Sequence, residues 1–178
     1  MTLEVVVIAT IRIVGSLPVL RWPFLGGLLA ILVDLSDLLL MDALDLGGVP
    51  DYQSVDKWLD QFYLALFLIV SLRWTNPARA IAIALYAYRL VGFILFELTG
   101  ERCFLLLFPN VFEFWFLLVA FVGDGRVATW SVARLGLTLA LLTLLKEAQE
   151  WALHGARLFD SIGALEAIDL VWRRLTGR

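Results

Sequence analysis

Long apolar blocks separated by short polar, proline-bearing or glycine-bearing breaks run the length of this chain, the pattern of helices inserted in a bilayer. The first block, 3–20, is interrupted by Arg12 and Pro18. It has no basic leader of the kind that opens a secretory signal and reads as a retained helix, short enough that an interfacial placement stands beside a crossing. Arg21-Trp22-Pro23 turns the chain into a second helix, 22–44, with Pro suited to its first turn. A loop around Gly47-Gly48 and Pro50 leads to a third helix, 56–74. Asn76-Pro77 ends that one and starts a fourth, 78–98. A fifth, 103–122, contains Pro109-Asn110, which predicts a kink one turn before Glu113. A sixth, 127–154, follows Gly123-Asp124-Gly125. The tail, 155–178, reads as an amphipathic interfacial helix with a basic end at Arg173, Arg174 and Arg178, a partial seventh crossing being the alternative. The expectation is an all-α fold, a polytopic membrane helical bundle of about six membrane-inserted helices, forming a single integral membrane domain over 1–178.

Composition agrees with that pattern, since 61% of the 178 residues are hydrophobic, 17% are charged and the mean hydropathy is +0.87. No ordinary soluble domain has these proportions. The lipid bilayer is therefore the first partner expected, in a plasma (inner) membrane. The single cysteine, Cys103, rules out an intrachain disulfide or a thiolate cluster, and the single histidine, His154, argues against bis-histidine haem. A net charge of -3 offers no basic patch for nucleic acid.

Against this apolar background the charges inside the blocks stand out. On the second helix Asp34, Asp37, Asp42 and Asp45 fall within one arc of about 140° at 100° per residue, so four carboxylates share a face. A carboxylate at bilayer depth costs about 2.5–3.5 kcal/mol on insertion scales and marks a buried ion pair or a polar path. Within the blocks Arg12, Arg89 and Arg134 balance Asp34, Asp37 and Glu113. The six are expected to meet in one layer, bridged by guanidinium–carboxylate pairs. Arg12 and Arg89 each stand three residues before a glycine, and Arg134 two before Gly136, so either a hairpin duplication or chance likeness of Leu-rich helices relates these segments.

Alternation of the hairpins puts Arg21, Arg73, Arg79 and Arg126 on one side, read as cytoplasmic, and Lys57, Arg102 and Lys146 on the other. Asp42, Asp45, Asp51, Asp56 and Asp60, with Glu97, Glu101, Glu147 and Glu150, fall on that second side, making an acidic mouth that concentrates cations. Glu147, Glu150 and His154 lie within about 60° on the sixth helix, a set that could hold a divalent cation or be no more than a solvated helix end. No other cofactor is indicated.

Enzyme motifs are incomplete. Membrane phosphotransferases acting on CDP-alcohols carry a DxxDG run, then Ala-Arg, then a later GxxxDxxxD. Here Asp34-Leu35-Ser36-Asp37 is followed by Leu38, the Ala-Arg is missing, and Asp56-Lys57-Trp58-Leu59-Asp60 matches only the final part. There is no P-loop, GxSxG or HExxH. The pattern points first to a small channel or transporter for a cation or cationic solute, with Asp34, Asp37, Glu113, Arg89, Arg134 and Arg12 along its path. A non-catalytic subunit of a larger membrane complex, or a homo-oligomer, is the alternative. A metal-dependent enzyme acting on a lipid headgroup, with Asp37, Asp42 and Asp45 as ligands, is the third reading.

Overall fold

The computed structural model describes residues 2–36, 52–101 and 103–150, without the side chains of 52–54 and 150. Among the described residues the chain is helical and has no strand. Helix α1, Leu3–Ser16, starts at Thr2, whose Oγ1 accepts the Val5 N–H, and passes into a 3-10 turn at Leu17–Leu20. Helix α2 is Pro23–Leu35, with Pro in its first turn as its fixed φ favours. Helix α3 is Tyr52–Ser71 and α4 is Ala78–Thr99, which ends at Gly100 with φ 72°, a left-handed C-cap that glycine takes without steric cost. The fifth predicted helix is broken into α5, Cys103–Leu107, and α6, Val111–Val122. A short α7, Asp124–Val127, precedes α8, Val132–Glu150.

Three of these segments are long and apolar enough to cross a membrane: Leu3–Leu20, Ala78–Thr99 and Cys103–Val122. Helices α3 and α8 have the length, but α3 carries Asp56, Lys57 and Asp60, and α8 carries Arg134, Lys146 and Glu147. Helix α2 closes at Leu35, where the Ser36 N–H reaches back to Leu32 O and Val33 O, both at 3.1 Å, so Asp34 stands in its last turn and not near its middle. The predicted continuation to Leu44 and the tail 155–178 lie outside the described residues.

Two further boundaries depart from expectation for local reasons. Pro109 breaks its helix outright, because it brings no N–H to the helical ladder and its ring crowds the preceding turn. The sixth helix starts at Val132 and not at 127, because Ser131 Oγ accepts the Arg134 N–H at 3.3 Å, a side-chain N-cap that makes a fresh start after the turn at 128–131.

Helices α1 and α2 form a tight hairpin that packs on α3, and α6 lies between α2, α3, α4 and α8. The hairpin's closeness requires glycine at position 26: a Cβ there would stand 2.3 Å from Val19 N and 2.4 Å from Pro18 C, both backbone atoms that cannot swing aside. Phe24 meets Phe121 at 5.0 Å between centroids, and Thr75 bonds Asp124, so the connections after α1, α3 and α6 gather at one end. Arg21, Arg73, Arg79, Arg126 and Arg134 are exposed at or next to those connections. The core of this half is aromatic. Phe67 stacks on Phe116 at 4.0 Å, Trp74 stacks on Phe116 at 5.3 Å, and fully buried Trp115 donates its Nε1–H to Ala78 O at 3.2 Å.

Candidate functional site

The other half of the bundle is polar, and α3 shows why. Asp56, Asp60, Tyr63 and Phe67 recur at helical spacing, so one stripe of that helix runs from carboxylates through a phenol to the aromatic core. Opposite its acidic end stands Arg12 of α1, whose guanidinium is buried to 3% exposure. Its Nη1 donates to Asp56 Oδ1 at 2.9 Å, and its Nη2 donates to Asp60 Oδ1 at 2.7 Å and to Asp34 Oδ1 of α2. Lys57 Nζ donates to the remaining oxygens of Asp56 and Asp60 at 2.7 and 3.1 Å. Among the described residues three carboxylates thus face two cations, with Asp60 innermost and Asp34 and Asp56 towards the surface at 23% and 18% exposure. One oxygen from each of Asp34, Asp56 and Asp60 lies within 4.8 Å of the others, close enough to hold a single ion.

A second polar cluster lies one helix turn deeper. Glu113, in the first turn of α6, accepts at Oε2 from Asn110 Nδ2 at 3.0 Å, Lys146 Nζ at 3.2 Å and Tyr63 OH at 3.4 Å. All four side chains are buried. The lysine also donates to Gln149 Oε1 at 3.0 Å and lies 5.2 Å from the Phe114 ring centroid. Asn110 Oδ1 is buried without a hydrogen-bond partner among the described residues.

The five of the six intrahelical charges that lie among the described residues do not share one layer. Arg12 meets Asp34, and it also meets Asp56 and Asp60, which the linear pattern places at the mouth because they open a helix. Among the described residues Glu113 takes Lys146 and no arginine. Arg89 is buried and gives Nη1 to the carbonyls of Leu105 and Phe108, at 3.3 and 2.9 Å. Arg134 is exposed over the Trp130 ring, its guanidinium carbon 4.3 Å from the centroid, because the fresh helix start leaves it at the basic end. Asp37, Asp42, Asp45, Asp51 and His154, and the side chain of Glu150, lie outside the described residues; Glu147 is half-buried. Lys57, Tyr63, Asn110 and Lys146 are the site residues that sequence reading passed over. For Tyr63 the signal is its spacing of three and seven residues from Asp60 and Asp56.

Comparison with protein-family models, with curated proteins and with solved structures finds no match to this chain. What the site does has to be argued from its own chemistry.

Proposed function

We propose that this chain is a small multi-pass membrane channel or transporter of about six inserted helices for a cation or cationic solute, and that Asp34, Asp56 and Asp60 form its cation site. Arg12 is the resident counter-ion, whose hold an arriving cation relaxes. The observation that carries this reading is the continuation of the polar groups past the trio: Asp56, Asp60 and Tyr63 line one face of α3 and lead to Glu113. A structural ion pair needs no such sequel, whereas a path does. In this reading the membrane is a plasma membrane and the end bearing Arg21, Arg73, Arg79, Arg126 and Arg134 faces the cytoplasm, as Lys/Arg bias favours, with the carboxylates facing out.

The test is flux in proteoliposomes loaded separately with potassium, magnesium and guanidinium. Asp60→Asn should abolish uptake of the transported ion while the protein remains monodisperse and helical. A wild-type protein that moves none of the three under an imposed gradient, and purifies with another membrane protein, is a complex subunit whose ion pairs set helix register.

One observation favours a second reading. The carboxylates of the two motif fragments, Asp34 from DxxD and Asp56 with Asp60 from DxxxD, come together in space. If a divalent cation stays there as a cofactor, the protein is a metal-dependent enzyme acting on a lipid headgroup. Headgroup release or exchange that requires magnesium, in the absence of ion flux, would select that reading.

A further inference from the structure

Arg89 is a buried cation whose hydrogen-bond acceptors among the described residues are two backbone carbonyls, and their identity is informative. In an unbroken helix the Leu105 carbonyl would accept the N–H of residue 109, and residue 109 is proline. The Leu107 carbonyl would accept from Val111, but the Val111 N–H turns to Pro109 O at 2.8 Å. Leu105, Leu107 and Phe108 thus present carbonyls at a break inside an apolar segment where water is scarce and every backbone group needs a partner.

Helix α4 supplies the missing donors. Arg89 Nη1 serves Leu105 O and Phe108 O, and the neighbouring Tyr88 OH serves Leu107 O. One turn on, Gly92 lets the break approach, since a Cβ there would stand 2.3 Å from Phe108 Cβ and 3.2 Å from Phe104 O. On the far side of the break the chain restarts at Val111, which leaves Asn110 and Glu113 on the first turn of α6, facing Tyr63 and Lys146.

We propose that Arg89 is a positioning residue: it holds open a discontinuous membrane helix by replacing the donor that Pro109 lacks, and so sets Glu113 against Lys146, Asn110 and Tyr63. A continuous helix through 103–122 would turn and shift Glu113 relative to Lys146. The inference concerns how the cluster is placed and holds whether that cluster conducts ions or only joins helices.

The experiment uses the full chain in lipid nanodiscs, followed by tryptophan fluorescence on heating. Arg89→Leu leaves two half-buried carbonyls in an apolar segment without donors and should lower Tm by roughly 5–10 °C. Adding Pro109→Ala restores an N–H at position 109 for Leu105 O, so the double variant should recover at least half of that loss. Arg89→Lys, with one donor group in place of a fork, should fall between wild type and Arg89→Leu. The readout that separates positioning from simple stabilisation is the coupling between Glu113→Gln and Lys146→Met. Their effects on Tm should be non-additive in the parent protein and additive in the Arg89→Leu/Pro109→Ala background, where Glu113 has moved. If Arg89→Leu alone does not fold, recovery of folding by the added Pro109→Ala supports the proposal. An Arg89→Leu protein as stable as the parent, no recovery on adding Pro109→Ala, or coupling that survives in the rescued background would each overturn it.

Discussion

The two ends of α3 turn the same helix face to opposite kinds of packing. At one end Asp56 and Asp60 meet the Arg12 guanidinium; at the other Phe67 stacks on Phe116, with Phe112 and Trp74 close by. In a bilayer neither contact gains from the hydrophobic effect, because lipid tails are as apolar as the rings, so each end is held by what it gives beyond lipid. The aromatic end gives shape and contact area, and tolerates exchange of one ring for another of similar volume. The polar end gives directed, charge-assisted bonds whose groups have no good alternative partner in hydrocarbon. Loss of one member is correspondingly different: a void in the first case, an uncompensated charge in the second.

The sharpest way to break this comparison is Arg12→Met. Asp34, Asp56 and Asp60 then crowd together without the guanidinium that bonds all three, and the loss should be about 3–5 kcal/mol, the range for stripping one partner from a buried pair. Reversible unfolding in mixed micelles measures it. Combining Arg12→Met with Asp60→Leu should cost less than the sum of the two single changes. If Arg12→Met folds as well as the parent, the polar end is not held by its ion pairs.

At the aromatic end Phe116→Ala should cost about 3 kcal/mol, the lower part of the range for emptying a well-packed aromatic position. That loss should be insensitive to ionic strength and pH. A salt-dependent loss there would mean that the two ends are not separable.

Gly26→Ala tests whether packing at one end delivers pairing at the other. The added methyl strikes backbone of the 3-10 turn and should cost about 1–3 kcal/mol while displacing α2, which carries Asp34. Non-additivity between Arg12→Met and Asp34→Asn should shrink in this background. Undiminished coupling would show that α2 is steered by its own carboxylate.

The smallest effect belongs to Asp124, at the basic end and outside the apolar segments. Thr75 donates its backbone N–H and its Oγ1–H to Asp124 Oδ2 at 2.8 and 2.9 Å, and the backbone bond above all holds that carboxyl below the usual carboxylate range. A carboxyl with a depressed folded pKa adds stability above its unfolded pKa, and that stability disappears as pH falls through the folded value. Asp124→Asn should therefore lower Tm slightly at pH 7, and the gap to the parent should close below the ordinary carboxylate range. A gap that stays constant down to acid pH would show that the carboxylate charge is not what joins these two connections.

Read along the chain, the apolar blocks, their breaks at Arg21-Trp22-Pro23 and Asn76-Pro77, and the disruption at Pro109 were legible because each rests on local stereochemistry: hydrophobic run length, a fixed φ, a missing N–H. That the buried charges would need partners was legible too, since the cost of an isolated charge in low dielectric does not depend on the fold. The identity of the partners was not. Helical periodicity says that Asp56, Asp60 and Tyr63 share a face, but which helix lies opposite depends on how closely α1, α2 and α3 approach, and that closeness turns on contacts such as Gly26 against Val19. The linear pattern sent Asp60 to an acidic mouth, assigned Arg134 to the charges inside the blocks, and left Lys146 among the bases of the acidic side. In the structure Asp60 bonds Arg12, Arg134 lies over Trp130, and Lys146 bonds Glu113, 33 positions away. Sequence alone determined that this protein is built of apolar helices carrying charges that must be neutralised; only the tertiary structure decided which cation neutralises which carboxylate, because pairing is set by distances of a few ångströms between helices that have no say in one another's local propensity.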